Sequence, residues 1–229
     1  LAATLTQQAD ANIKTGAIMF DWFKRKTTTE PTTPPSPEIL GLRLGGAFEL
    51  DDLKLRLIEP DLIIEGAART QLIKAVGEVK LDEQTRLLRY YTDDDGFIQV
   101  LLHGESEADI SEVKLYYFYE TKPIDSQDQW QQLLDNTLVQ DNWQLEGHDF
   151  AKAWDNTRPV AMTEKTWHEN GKVSETDQFV MIYEREAADN QFEFLLVAGE
   201  EKIRHQQAER CVAISTGFDL SPTDFKLIG

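Results

Sequence analysis

A chain of 229 residues, 41% hydrophobic and 28% charged, has the profile of a soluble globular domain and is long enough to bury a core without staples. Its formal net charge of −18 excludes a body that binds nucleic acid, which needs cations against phosphates. Its single cysteine, Cys211, excludes an internal disulfide and fits a reducing compartment.

Residues 1–18 are mildly apolar and lack both the basic start and the compact apolar core of a signal peptide. They begin without methionine; Met19 reads as a candidate start, with the residues before it a translation-start artefact or a fragment of a longer chain. The octet MFDWFKRK, residues 19–26, follows. Residues 1–26 carry Lys14, Lys24, Arg25 and Lys26 against Asp10 and Asp21, a net of +2 that leaves −20 on the remaining 203. Phe20, Trp22 and Phe23 stand directly before Lys24, Arg25 and Lys26. Bulky aromatics beside a basic cluster suit an anionic membrane surface or the groove of a protein partner. Packing back onto the domain, or plain disorder, is the alternative. These six side chains are the candidate contact residues.

TTTEPTTPPSPE, residues 27–38, holds four prolines and five threonines and cannot form a core, so it reads as an extended linker. The folded domain is expected over residues 39–229. LGLRLGGAFELD, residues 40–51, alternates and then breaks at Gly45-Gly46. LKLRLIE, residues 53–59, alternates cleanly and predicts a strand ended by Pro60. TQLIKAVGEVKLD, TRLLRYYTD, GFIQVLLHG and SEVKLYYFYE predict four more strands. A helix follows, capped by Asp125 or Ser126, with Trp130, Leu133 and Leu134 on one face. A second short helix is predicted over His148 to Asp155, from Phe150 and Trp154 four apart. Strands resume at PVAMTEKTW, KVSETDQFVMIYERE, NQFEFLLVAGEE and ERCVAIST. Asn170-Gly171 between the first two predicts a type I′ hairpin turn. The fold class is α+β: β-rich, mainly antiparallel, with a short helical insert. FIQVLLHGE, residues 97–105, aligns without gaps to FEFLLVAGE, residues 192–200. That echo marks either two similar β halves or a coincidence between amphipathic strands.

No catalytic, cofactor or metal residue is assigned. In RYYTDDDGFIQV, placing Gly96 at position 6 of a calcium loop puts Tyr91 and Leu102 at its two essential ends, so Asp93 to Asp95 read as a hairpin tip. His103, His148, His168 and His205 are far apart, with no zinc-binding spacing. Cys211 reads as a structural thiol. Ser111 and Lys114 match a Ser-x-x-Lys pattern, but on a strand they face opposite sides. Trp130, Trp143, Trp154 and Trp167 fall within 38 residues and read as an aromatic ligand pocket or as a helix packed on a sheet.

The octet MFDWFKRK, the Pro-rich linker, LGLRLGGAFELD and RYYTDDDGFIQV together resemble the bacterial YjfK-like proteins, a family of unknown function. The resemblance covers Met19 to the end and carries no catalytic residue. It implies a gene neighbourhood with a PspA-like membrane-stress protein, and so a place in the cytoplasm near the inner membrane. The expected function is therefore a non-enzymatic accessory protein that meets a membrane-associated partner through protein or peripheral membrane contact. An enzyme with a site assembled from distant residues and a small-ligand binding module are the alternatives. No cofactor and no nucleic-acid partner is expected.

Overall fold

The computed structural model describes residues 35–64, 66–204 and 206–228, and the fold is that of the compact unit Ser36–Gly229. In chain order its elements are β1 (Ala47–Leu50), α1 (Asp52–Ile58), β2 (Thr70–Lys80), β3 (Thr85–Thr92), β4 (Gly96–His103) and β5 (Ile110–Pro123). Then come α2 (Gln127–Asp135), β6 (Asn142–Leu145), β7 (His148–Lys152), β8 (Val160–His168), β9 (Val173–Ala188), β10 (Gln191–Arg204), β11 (Gln207–Asp219) and β12 (Phe225–Ile228). The class is α+β, dominated by antiparallel strands, as expected.

Eight of these strands close into a ring. Strands β2 to β5 form one antiparallel meander, and β8 to β11 form a second. The last strands of the two meanders pair, β5 with β11, and the first strands pair, β2 with β8. The result is an antiparallel barrel that leaves no open edge in the ring. The internal echo has a place in this plan, because β4 and β10 are the third strands of their meanders. Gln99 and Leu101 of β4 and Phe194 and Leu196 of β10 all face the lumen, so the alignment preserves facing.

A closed ring gives each strand an inner and an outer face, and over much of the ring both faces carry buried residues. Phe97, Tyr116, Val180, Phe194, Leu196 and Ala198 form the core inside. On the outer face of the first meander, Val76, Leu88, Ile98, Val100 and Leu115 pack under α1, β1 and β12. On the second, Met181, Tyr183, Leu195 and Val197 pack under α2 and the β6–β7 hairpin, through Trp130, Leu133 and Phe150. The Ser126 side chain accepts from the Gln129 backbone and caps α2, as the sequence predicts.

Three expectations are corrected. Residues 52–58 are a helix rather than a strand. Asp51 caps it by accepting from the Lys54 backbone at 2.8 Å, and Leu55 is buried while Leu53 and Leu57 are each 68% exposed. The Leu-x-Leu-x-Leu alternation is therefore not a facing pattern, and the cap decides the element. Residues 148–152 are a strand rather than a helix. A two-residue turn with positive φ at both Glu146 and Gly147 folds β6 back on β7, with Trp143 opposite Phe150. The Asn170-Gly171 turn connects β8 to β9 as predicted, but only Gly171 has positive φ. The Gly171 backbone donates to His168 O at 2.9 Å and the His168 backbone to Lys172 O at 3.0 Å, so the loop is one residue longer than a type I′ turn.

Candidate functional site

The barrel interior is polar towards one end. Arg89 of β3 points inward and is 3% exposed. Its Nη1 donates to Glu164 Oε2 at 2.6 Å and to Gln178 Oε1 at 2.7 Å, and its Nε donates to Gln99 Oε1 at 2.9 Å. Glu164 of β8, 2% exposed, also accepts from the Tyr91 hydroxyl at 2.7 and 3.0 Å and from Thr166 Oγ1 at 3.2 Å. Gln178 Nε2 bridges Glu164 Oε2 at 3.3 Å to Glu200 Oε1 at 3.1 Å. Gly77 of β2 makes room for this cluster, since a Cβ there would lie 2.0 Å from Glu164 Oε1. A buried pair is tolerated only when its remaining lone pairs and protons are satisfied, and the neighbouring side chains do that.

The electrostatics follow from burial and from Glu164. Burial opposes the Arg89 charge, but Glu164 and then Tyr91 outweigh it and hold the guanidinium protonated more firmly than usual. Burial pushes the Tyr91 hydroxyl well up, and Glu164 adds to it. Burial, then the Glu164 charge, raises the Glu200 carboxyl. Cys211 Sγ lies 3.9 Å from Glu200 Oε2, and burial followed by that carboxylate pushes the thiol up to about 11. A thiol held protonated is a poor nucleophile, which fits the structural role read from sequence. An aromatic cluster closes this end: the Phe97 ring stacks on Tyr116 at 5.2 Å and lies 5.5 Å from Phe118.

On the other side of Arg89 and Gln99 the lumen is open. A cavity of about 640 Å³ runs from these two side chains to the mouth, walled by Leu87, Leu101, Met162, Val180, Phe194 and Leu196. That volume is within the range of small-molecule sites, about 300–1,000 Å³. The mouth lies where β2, β4 and β9 end and β3, β5, β8 and β10 begin, and it carries Lys80, Glu112, Lys114, Trp154 and Glu184. Lys114 Nζ sits 2.7 Å from Glu112, 2.9 Å from Asp219 and 4.3 Å over the Phe194 ring. Burial opposes its charge, and the hydrogen bonds to Glu112 and Asp219 win, so the ammonium is held more firmly than usual. Among the described residues, no histidine, cysteine, serine or threonine lines the cavity.

The residues singled out in the sequence are placed as follows. Phe20, Trp22, Phe23, Lys24, Arg25 and Lys26 lie outside the described residues. The aspartates form a hairpin tip, with Asp95 at φ 49°, and they diverge. Asp93 Oδ1 accepts from the Leu72 backbone and Asp94 Oδ2 from the Ala68 backbone, each at 2.8 Å, so they brace the start of β2 and the segment leading into it. Among the described residues, no group of His, Cys, Asp and Glu is arranged to hold a metal. His103 contacts Thr85 and His168 contacts Ser174, while His205 lies outside the described residues. The tryptophans do not share a pocket: Trp130 and Trp143 pack on the second meander's outer face, and Trp154 alone of the four lines the cavity.

Sequence reasoning missed Arg89, Gln99, Glu164 and Gln178. A signal for Arg89 was present, since Leu87-Leu88 and Tyr90-Tyr91 flank it with apolar residues of both facings. A strand apolar on both faces is buried on both, so a charge within it needs a partner.

The chain belongs to the family described as "Protein of unknown function (DUF2491)", which matches residues 19–226. It is 30% identical to the "Uncharacterized protein YjfK" of Escherichia coli (strain K12) over 204 residues, 83% of this chain and 90% of that protein. No solved structure matches it.

Proposed function

We propose that the protein is a non-enzymatic accessory protein whose barrel holds a small apolar molecule. The observation that carries this reading is the 640 Å³ lumen, open at one end, walled by hydrocarbon and floored by a few oriented polar groups. The lining favours binding over catalysis: its acids are Glu112, already bound to Lys114, and Glu184. Titration of the native protein with N-phenyl-1-naphthylamine, a neutral apolar fluorophore, is expected to saturate at one site. Met162→Trp fills the half-buried wall and is expected to weaken binding at least about tenfold with little change in melting temperature. Equal binding by the variant would place the probe elsewhere and remove the lumen from the reading.

The expected membrane role has a separate support. The family match begins at residue 19, so the MFDWFKRK octet belongs to the shared sequence. The octet brings the barrel to an anionic membrane surface or to a membrane-associated partner on the cytoplasmic side of the inner membrane. The PspA-like neighbourhood implied by the family resemblance fits such a role in membrane stress. Anionic vesicles are expected to sediment the full chain better than a chain starting at Ile39. Equal sedimentation of the two would end the membrane version of this reading.

A further inference from the structure

The mouth of the lumen holds a carboxylate that nothing in the barrel uses. The inner positions of β9 run from Gln178 at the floor through Val180 and Ile182 to Glu184 at the rim, and the last three line the cavity. β8 begins opposite Val180, short of Glu184. Glu184 therefore stands between Phe194 of β10 and Ala151 of β7, its partners in the register. The Ala153 backbone donates to Ile182 O at 2.9 Å, so the chain leaving β7 follows the rim beside β9 and brings Trp154 into the cavity wall. Glu184 is half-buried, and its side chain makes no hydrogen bond or ion pair among the described residues. The Trp154 ring makes no ring or cation contact among them either.

The other charges around the lumen are committed. Arg89 at the floor is neutralised by Glu164 at 2.6 Å. Lys114 is shared by Glu112 at 2.7 Å and Asp219 at 2.9 Å and covers the Phe194 ring, so that group keeps a surplus negative charge. Lys80 is exposed, and β8 separates its strand from β9. An anionic head at the mouth would meet the acidic surplus, and a neutral head would gain nothing from Glu184. An ammonium head gains both a carboxylate and an aromatic ring, the groups that hold such cations where water is partly excluded. Met162, Val180, Ile182 and Leu196 receive the hydrocarbon behind it. The stretch of β9 from Glu184 down to Gln178 is about 20 Å long, which leaves room for a decyl chain.

We infer that the lumen takes an amphipathic cation, with its hydrocarbon inside the barrel and its ammonium head at the mouth against the Glu184 carboxylate and the Trp154 ring. This rests on the reading of the lumen as a binding site, and the test separates the two. Decyltrimethylammonium, decanol and decanoate, each below its micellar concentration, are compared by calorimetry on the full chain. The cation is expected to bind at one site, about tenfold tighter than the alcohol and tighter still than the carboxylate. Glu184→Gln removes a carboxylate with no partner to lose, so it is expected to melt no lower than the parent. The same variant weakens the cation about fivefold and leaves decanol unchanged. Glu175→Gln makes the same change of net charge at an exposed position near the other end of β9 and is expected to leave the preference intact. Glu184→Lys is expected to reverse the preference in favour of decanoate. If decanol or decanoate binds the parent as tightly as the cation, if Glu184→Gln keeps the preference, or if Glu175→Gln lowers it equally, the inference is overturned while the lumen remains a site. If none of the three binds, or if Met162→Trp binds all three as the parent does, the lumen reading fails and the inference falls with it.

Discussion

Arg89→Met is expected to lower the unfolding free energy by about 3–5 kcal/mol, the usual cost of leaving one partner of a buried ion pair without the other. The reason is local. Glu164 is 2% exposed, and after the substitution only Tyr91, Thr166 and Gln178 remain to it, all of them neutral. Adding Glu164→Gln removes the stranded charge, so the double variant is expected to be more stable than Arg89→Met alone. Its deficit should fall well short of the sum of the two single changes. Urea unfolding of the three variants at neutral pH checks this. A loss of less than about 1 kcal/mol in Arg89→Met would mean that the pair is hydrated in solution, like an exposed one.

Trp130→Ala is expected to cost about 3–5 kcal/mol, as large-to-small changes at buried aromatic residues do. Trp130 is the chief anchor of α2. It is 4% exposed, meets Phe179 edge to face at 5.7 Å, and lies under the Arg210 guanidinium at 5.1 Å. The ring reaches the β10 backbone at Gly199, where even a Cβ would come within 3.1 Å. Truncation leaves a cavity that the short helix cannot refill, and amide exchange across Gln127–Asp135 should accelerate with it. Full retention of both stability and exchange protection would show that α2 is held by Leu133 and its cap alone.

Much of the strand plan was legible because β2 to β5 and β8 to β11 are runs of β-branched and aromatic residues separated by turn signals. Residues 52–58 were misread because three leucines at spacing two mimic a strand, and only the Asp51 cap distinguishes the helix. Residues 148–152 were misread because Phe150 and Trp154 stand at helical spacing, whereas Phe150 is buried against the β9 side of the barrel and Trp154 reaches the lumen mouth. The site was illegible for a different reason. Arg89 comes from β3, while Glu164 and Gln178 come from the β8–β9 hairpin far along the chain, and these two sit in strand patterns where a polar residue is expected to face water. Only closure of the ring turns those positions inward, and closure is a non-local fact that periodicity does not carry.

Ring closure bears on how the chain reaches its native state. Six of the eight joints link neighbouring strands of a meander, but Gly77 must find Thr166 and Tyr117 must find Thr216 across long stretches of chain. Such pairings are slow to form, because loop entropy is lost before contacts reward it. The Arg89–Glu164 pair spans the β2–β8 joint, with Gly77 between its members. While that joint is open, both charges keep their water; when it shuts, they lose it and gain each other. Dehydration of the pair and closure of the barrel are therefore one event, and a partly zipped ring gains nothing from holding the pair half-made.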